Sequence, residues 1–326
     1  MTQIAWIIYI PLQIIWLPVS ILAATWVGYK QIWHSRKLGL SQTAVEIING
    51  RWTAHIFGLR DDFAAKQLAA ALPNNSTLGL RLTLFPLMVA KFIAGHPILY
   101  PTLPDDDQAS IANLVFSRSA RIDALINTYC SQATQFVVLG AGLDTRAYGP
   151  LTTHNMTMFE LDQPRIQKSK RDALARAGLN GDHVHYIEID FAQPDWHLAL
   201  RASAYDPACK TIFLWEGVSL YLNAEIVHAT LNSIRQISAP GSVVIADFYG
   251  ERMLNLANKT AMKHTLSMTD EQIGFGLDLK TAPGDTLAAL AVATGYKLGR
   301  YHLMGTAHRK GAFMAIAAFE VGDVPA

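Results

Sequence analysis

The fold is decided by the segment 135-QFVVLGAGLDTRAYGP-150, in which an apolar run stops abruptly at two closely spaced glycines. The β-branched and aromatic residues of this run favour a strand over Gln135–Gly140. Gly140 and Gly142 then allow the backbone to approach a ligand more closely than a Cβ would permit. The segment therefore predicts a strand whose carboxyl end faces a small molecule.

The chain around and after this segment alternates between strand and helix patterns. Such alternation predicts a parallel sheet with helices on both faces, and the turn-rich GTAHRKG near the end predicts a closing hairpin. We therefore expect an α/β fold with a doubly wound, mostly parallel seven-stranded sheet that ends in an antiparallel hairpin. The predicted strands are Gln135–Gly140, Met156–Asp162, His183–Asp190, Thr211–Glu216, Gly241–Phe248, Tyr296–Met304 and Ala312–Glu320. The predicted helices of this region are Ile111–Tyr129, Pro164–Ala177 and Asn223–Ile237.

The N-terminal region has a different character, because the first 29 residues contain no charged side chain. A helix that spans a membrane needs ~20 apolar residues, so this run is long enough. Trp6 and Trp26 suit the two interfaces of a bilayer, and the Lys and Arg residues that follow favour a cytoplasmic location for the rest of the chain. We expect a membrane anchor at about residues 4–29 that either spans the bilayer or lies in its plane, on the cytoplasmic face of a membrane, most simply the bacterial inner membrane. The alternative is a soluble core helix.

A second apolar segment, residues 82–101, is interrupted by two prolines, a lysine and a histidine. These interruptions argue against a span, and they leave two interpretations open: an amphipathic segment in the membrane surface or a packed cap over the active site. The turn residues and acids that follow mark a boundary. We therefore expect a hydrophobic helical module over residues 1–105 and a sheet domain over residues 106–326.

Charge and cysteine content exclude several kinds of protein. The 27 basic and 26 acidic residues give a net charge of +1, which argues against a nucleic-acid partner. Cys130 and Cys209 lie far apart without a CxxC spacing, so we expect a reducing compartment and no structural zinc. His183 and His185 alternate as they would on one strand face, which is more typical of structure than of a metal site. We predict no metal.

An acidic residue, Asp162, lies 20 residues after Gly142, at the end of the second predicted strand. A carboxylate at this place accepts hydrogen bonds from ribose hydroxyls in both NAD and S-adenosylmethionine enzymes. The dinucleotide fingerprint GxGxxG would add a third glycine, where this chain has Thr145. The missing glycine weakens the dinucleotide interpretation, but a GxG turn with an acid is common to both cofactor classes. At this point S-adenosyl-L-methionine and the NAD of an oxidoreductase both stay open.

Four motifs in order make the prediction more specific: LGAGLDTRAY, FELDQP followed by Lys170, ID before Phe191, and WEGVSLYL. Over about residues 110–320 the chain resembles the leucine carboxyl methyltransferase family of S-adenosylmethionine-dependent enzymes, including its bacterial small-molecule members. The resemblance implies methyl transfer with S-adenosyl-L-methionine as the cofactor. The first hundred residues depart from the short helical cap that is usual in that family.

The resemblance also implies which residues contact the cofactor. It places Gly140, Ala141 and Gly142 under the methionine part, Asp162 on the ribose, Asp190 and Phe191 on the adenine, Glu216 and Gly217 along the cleft, and Arg118 on the carboxylate. Several alternatives stay open: Arg121 in place of Arg118, Glu160 in place of Asp162, and structural roles for Asp144, Arg146, Lys170 and Glu216.

The acceptor and the catalytic residue are not given by any motif. A carboxylate or thiolate nucleophile needs no strong base at neutral pH, whereas an alcohol does. Asp247, Tyr249 and His96 are possible cleft residues, and Glu251–Thr286 is expected to cover the acceptor pocket. We predict S- or O-methylation of a small apolar acceptor that bears a thiol or carboxylate. The alternatives are carboxyl methylation of a protein C-terminus and a non-catalytic cofactor sensor or membrane scaffold.

Overall fold

The structure is a computed structural model that describes residues 1–38, 41–191, 193, 195–257 and 274–322. The described residues form two compact units. The first unit contains Met1–Leu103, Leu143–Gly149 and Lys170–Asn180, and the second contains Pro104–Gly142, Pro150–Ser169 and the described residues from Gly181 onward. The two units are defined by contacts between residues. The predicted division into a helical module over residues 1–105 and a sheet domain over residues 106–326 is a different one and stays a prediction.

The second unit contains the predicted seven-stranded sheet, with the strand order β3-β2-β1-β4-β5-β7-β6. Strands β1 to β5 are parallel, and β7 runs antiparallel to both β5 and β6. Every residue of β1, β4 and β5 is buried, as expected of parallel strands that are covered on both faces. The fold class is therefore confirmed. The strands are β1 Gln135–Leu139, β2 Thr157–Asp162, β3 Val184–Glu188, β4 Thr211–Trp215, β5 Val243–Tyr249, β6 Lys297–Met304 and β7 Met314–Glu320.

The predicted helices Pro164–Ala177 and Asn223–Ile237 are found within one residue of their predicted ends. The Asn223 side chain accepts a hydrogen bond from the Ile226 amide at 2.8 Å, which makes it the predicted N-cap. The helix predicted from Ile111 begins at Leu114, because residues 111–113 form a 3-10 turn instead. The helices are α1 Thr2–Tyr29, α2 Ser35–Leu38, α3 Gln42–Ile56, α4 Phe63–Ala71, α5 Thr77–Ala94, α6 Leu114–Tyr129, α7 Pro164–Ala177, α8 Trp196–Arg201, α9 Ala224–Gln236, α10 Glu251–Ala257 and α11 Pro283–Ala293.

In the first unit, α1 and α5 pack against each other, and α5 is longer than the sequence suggests. Proline lacks an amide proton, so Pro86 leaves the carbonyl of Leu82 without its usual helical donor. The Trp16 indole of α1 donates to that carbonyl at 2.8 Å. Because this tertiary bond replaces the missing one, α5 continues through Pro86 to Ala94.

Two helical segments are long and apolar enough to cross a membrane by length and composition alone, Thr2–Leu38 and Thr77–Ala94. Their most apolar windows have mean hydropathies of 2.0 and 1.5. Only 11% of the first window is buried, and Ile15 and Leu22 are 75% and 73% exposed. Within this unit α1 is therefore a surface helix and not a buried core helix.

Candidate cofactor site

The glycine turn after β1 requires glycine for geometric reasons. Gly140 and Gly142 have φ angles of +67° and +43°, in the left-handed region that L side chains rarely adopt. A Cβ on Gly140 would lie 2.5 Å from Cγ2 of Val218. The amides of Gly140 and Ala141 both donate to the Leu161 carbonyl, at 2.9 and 3.0 Å. The turn is thus fixed to the end of the neighbouring strand β2.

Asp162, the last residue of β2, is held beside this turn. Its Oδ2 accepts a hydrogen bond from the Gly142 amide at 2.6 Å, and its Oδ1 accepts one from the Gln163 amide at 2.7 Å. The side chain is partly exposed, whereas Glu160, two residues earlier, is 1% exposed. Of the two acids proposed for a ribose, Asp162 is the one that reaches the edge of the sheet.

The other predicted residues follow the neighbouring strands. Asp190 is exposed and Phe191 is partly exposed beyond β3, and the Phe191 ring meets Trp196 edge-on with 5.3 Å between the centroids. Glu216 and Gly217 follow β4 directly. Because the carboxyl ends of adjacent parallel strands lie at one edge, the structure brings these residues to the same edge as the glycine turn.

Arg118 of α6 lies in a buried polar cluster behind this edge. Its Nε lies 3.0 Å from Oε1 of Glu216, and its Nη1 lies 3.2 Å from Oδ2 of Asp247. The same Nη1 donates to the Tyr249 hydroxyl at 2.8 Å. The predicted residues Arg118 and Glu216 are therefore in contact, and the cluster includes Asp247 and Tyr249, which the sequence identified only as possible cleft residues.

The charges of this cluster are unevenly balanced, because one guanidinium faces two carboxylates. Burial raises the pKa of Asp247 to about 6; the Arg118 charge lowers it and the Glu216 charge raises it. Burial alone would lower the pKa of Arg118, but Tyr249, Glu216 and Asp247 together raise it, so the guanidinium stays charged. Oδ1 of Asp247 also accepts the Gly217 amide at 2.7 Å. Asp247 thus positions both Arg118 and the turn after β4.

This arrangement predicts an unusual dependence of stability on pH. The pKa of Asp247 is raised on folding, so the folded protein binds this proton more tightly than the unfolded chain does. The stability that this tighter proton binding contributes is present at low pH and is lost as pH rises through about 6. We expect the stability of the wild type relative to Asp247→Asn to fall by about 1 kcal/mol between pH 5 and pH 7.5. Urea unfolding of both proteins at each pH measures this difference in the free energy of unfolding. A difference that does not change with pH contradicts the raised pKa of Asp247.

Arg121, the alternative to Arg118, has different partners. Its Nε forms an ion pair with Oδ1 of Asp106, and Oδ2 of Asp106 lies 2.8 Å from Nδ1 of His302. Arg121 and Asp106 are both partly exposed. The structure therefore places Arg118, and not Arg121, beside Glu216.

Asp144 and Arg146, which follow the glycine turn, belong to the first unit and to a second buried cluster. Asp144 accepts hydrogen bonds from Nη2 of Arg51 in α3 and from the Arg146 amide, both at 2.7 Å, and it pairs with the Arg146 side chain. Burial would raise the pKa of Asp144, but Arg146 and Arg51 hold it well below its usual range. Within the first unit, Asp144 and Arg146 therefore tie the segment that follows the glycine turn to helix α3.

Thr145, Asp62 and Lys170 also belong to this second cluster. The Thr145 hydroxyl lies 2.9 Å from Oδ2 of Asp62, the N-cap of α4. Lys170 is only 1% exposed, and its Nζ lies 5.2 Å from the centroid of the Tyr148 ring. Of the two structural roles considered for Lys170, a solvated or a salt-bridged helix residue, its burial excludes the solvated one. Sequence reasoning missed Arg51, for which the only signal was an arginine within a segment whose neighbours are largely apolar.

The histidines do not assemble into a site within the described residues. His183 lies directly before β3, and His185 lies within it and stacks on Phe159 with 5.0 Å between the ring centroids. His96 is exposed and lies 3.3 Å from the Thr2 hydroxyl in the first unit. Of the expected cover of the acceptor pocket, Glu251–Thr286, residues 258–273 lie outside the described residues, so this expectation stays a prediction.

Comparison with known proteins agrees with the geometry. The family model for leucine carboxyl methyltransferase matches residues 59–235. A protein of Mycobacterium bovis named "Putative S-adenosyl-L-methionine-dependent methyltransferase" is 31% identical over 169 residues, 48% of this chain and 54% of that protein. A protein of the same name from Mycobacteroides abscessus is 34% identical over 161 residues, 48% of this chain and 52% of that protein. A Thermobifida fusca structure named "Crystal structure of a putative methyltransferase" superimposes with a TM-score of 0.48 at 13% identity, covering 79% of this chain and 94% of that one.

The extent of the match corrects the predicted extent of the resemblance. It begins at residue 59 and so includes α4 and α5, whereas the sequence motifs suggested a beginning near residue 110 and a departure over the first hundred residues. The region before residue 59, which contains α1, precedes the matched residues. This chain spans about half the length of each relative that it matches. The match nevertheless covers more than half of the 326 residues, so the chain belongs to the leucine carboxyl methyltransferase family.

Proposed function

We propose that this protein transfers a methyl group from S-adenosyl-L-methionine to a small acceptor. The observation that carries the proposal is the family match, because its span contains the glycine turn, Asp162, Arg118 and Glu216. The sulfonium of the cofactor is already an activated methyl donor. The task of the protein is then to align donor and acceptor in line and to exclude water, and orientation alone can contribute ~7–11 kcal/mol.

The residues at the edge of the sheet fit this cofactor. Gly140 and Gly142 carry no Cβ where the methionine part would pass, and the partly exposed Asp162 offers carboxylate oxygens to the ribose hydroxyls. Asp190 and Phe191, at the end of β3, are accessible to an adenine amino group and ring face. These assignments are supported by the positions of the residues and by the family resemblance.

Arg118 is proposed to hold the cofactor carboxylate, although its guanidinium is buried in this structure. A Cβ on Gly217 would lie 3.3 Å from Nη1 and 3.7 Å from Nη2 of Arg118, so a side chain at this position would crowd the guanidinium. Glu216 and Asp247 fix the guanidinium in place from their own side. Arg118 thereby acts as a pre-positioned cation for a carboxylate.

The acceptor is proposed to be apolar and to bear a thiol or a carboxylate, and the protein to work at the cytoplasmic face of a membrane. The broad apolar surface of α1 supports association with lipid, where apolar acceptors concentrate. Thiolate and carboxylate acceptors need no strong base, and the family motifs supply none. The catalytic residue stays unassigned.

Transfer of a labelled methyl group tests this proposal. Detergent-purified protein is incubated with methyl-labelled S-adenosyl-L-methionine and either alkyl thiols, fatty acids or a peptide that ends in leucine. We expect label in the apolar small molecules and S-adenosylhomocysteine in equal amount. Label in the peptide alone would instead establish protein carboxyl methylation, and cofactor binding without transfer to any acceptor would favour the sensor or scaffold function.

A further inference from the structure

The orientation of α1 and α5 in a membrane follows from the contacts of the first unit. Along one side α1 exposes large apolar side chains, among them Ile7, Ile15 and Leu22, each at least 70% exposed. On the other side Ala5, Ser20 and Ala23 are buried. The face of α1 that packs on α5 thus consists of small side chains, which allow close packing. The exposed face is suited to hydrocarbon.

The two helices are antiparallel and in contact from end to end. Near the start of α1, the Thr2 hydroxyl lies 3.3 Å from Nε2 of His96, just beyond α5. Near the end of α1, a Cβ on Gly79 would lie 2.6 Å from Cγ2 of Val27. Because the contacts extend over this whole length, the axes of α1 and α5 have nearly the same tilt relative to any membrane.

Helix α5 is poorly suited to crossing a bilayer. Arg81 and Lys91 leave residues 82–90 as the longest uncharged stretch of α5, which at ~1.5 Å per residue is ~14 Å of helix. The hydrocarbon core of a bilayer is ~30 Å thick. Moreover, the Lys91 ammonium donates to the Ile56 carbonyl at 3.0 Å, so it is held against α3.

Helix α3 itself is tied to polar parts of the protein. Leu80 and Leu84 of α5 pack against the cluster that contains Ile48 and Trp52 of α3. One turn of α3 carries Arg51, whose guanidinium is bonded to Asp144. If α1 and α5 crossed a bilayer, α3 would be carried into the hydrocarbon with this buried ion pair and the backbone that bears it, at a large cost in desolvation.

We propose that α1 and α5 bind a bilayer as an antiparallel pair lying along its cytoplasmic interface, with α1 facing the lipid and neither helix crossing. The proposal extends the membrane association proposed above. A lone interfacial helix needs a polar stripe toward water, but here α5 covers the inner face of α1. The tryptophans of α1 and the basic residues Lys30, Arg36 and Lys37 suit the headgroup region, and the bases also suit anionic lipid.

Cysteine labelling in membranes of an expressing bacterium tests the orientation. Single cysteines replace Thr2, Lys37 or Ile15 in the full-length Cys130→Ser/Cys209→Ser protein, with Glu225→Cys on α9 as the control for cytoplasmic exposure. A membrane-impermeant maleimide is applied to spheroplasts and to inverted vesicles. We expect cysteines at positions 2, 37 and 225 to label in inverted vesicles and not in spheroplasts, and the cysteine at position 15 to label at least tenfold less.

Labelling of position 2 from spheroplasts, with position 37 labelled only in inverted vesicles, would overturn the proposal in favour of a spanning α1. Recovery of the protein in the soluble fraction would overturn membrane binding altogether. Titration of each variant with S-adenosylhomocysteine, performed in detergent, shows separately whether the cofactor site is formed. Failure of the orientation and failure of the proposed methyl transfer are therefore distinguishable.

Discussion

Replacement of Asp144 by alanine is expected to lower the free energy of unfolding by about 3–5 kcal/mol, because it leaves two buried cations without their shared carboxylate. The side chains of Arg51 and Arg146 are each 2% exposed, so water cannot compensate for the loss. The Arg146 amide loses its acceptor as well. Chemical denaturation followed by circular dichroism measures the change.

The matched control is Asp61→Ala. Asp61 also faces a basic side chain, Nδ1 of His55 at 3.5 Å, but its own side chain is 91% exposed. Exposed ion pairs contribute about 0–1 kcal/mol, so we expect a change below about 1 kcal/mol. The double variant Arg51→Met/Asp144→Ala should lose less stability than the two single variants added together, because the charges are coupled. Equal effects of Asp144→Ala and Asp61→Ala would refute the buried cluster.

Replacement of Asp162 by asparagine is expected to weaken binding of S-adenosylhomocysteine at least about 100-fold, or about 3 kcal/mol. The substitution preserves shape but removes the charge that would accept the ribose hydroxyls. It also changes the acceptor that holds the Gly142 amide at 2.6 Å. Calorimetric titration of both proteins gives the ratio of the dissociation constants.

Glu225→Gln is the control for Asp162→Asn, since it removes one exposed carboxylate on α9, far along the chain from the glycine turn. We expect its affinity to match that of the wild type. The unfolding midpoint of Asp162→Asn is measured in parallel, so that lost binding is not mistaken for lost folding. Unchanged affinity in folded Asp162→Asn would remove Asp162 from the site.

The parts of the fold that the sequence predicted are those that depend on local pattern. Buried strands such as β1 and β4 show as short apolar runs, and the Asn223 cap shows as a single residue type before a helix. The glycine turn was predictable for the same reason, since the positive φ angles of Gly140 and Gly142 have a direct signal in residue type.

The contacts that could not be predicted join residues far apart in the chain. Arg118 is 129 positions from Asp247, and Arg51 is 93 from Asp144, so no local spacing indicates either pair. The same limit explains α5: the effect of Pro86 depends on an indole donor 66 positions from the carbonyl that accepts it. These are tertiary compensations, which pattern and propensity do not encode.

Calorimetric titration of the detergent-purified wild type shows whether this family member uses S-adenosyl-L-methionine. Separate titrations use S-adenosyl-L-methionine, S-adenosylhomocysteine and NADH. We expect micromolar binding of the first two and none of NADH. Folded protein that binds neither S-adenosyl compound would exclude S-adenosyl-L-methionine as the cofactor, and binding of NADH alone would support the oxidoreductase alternative.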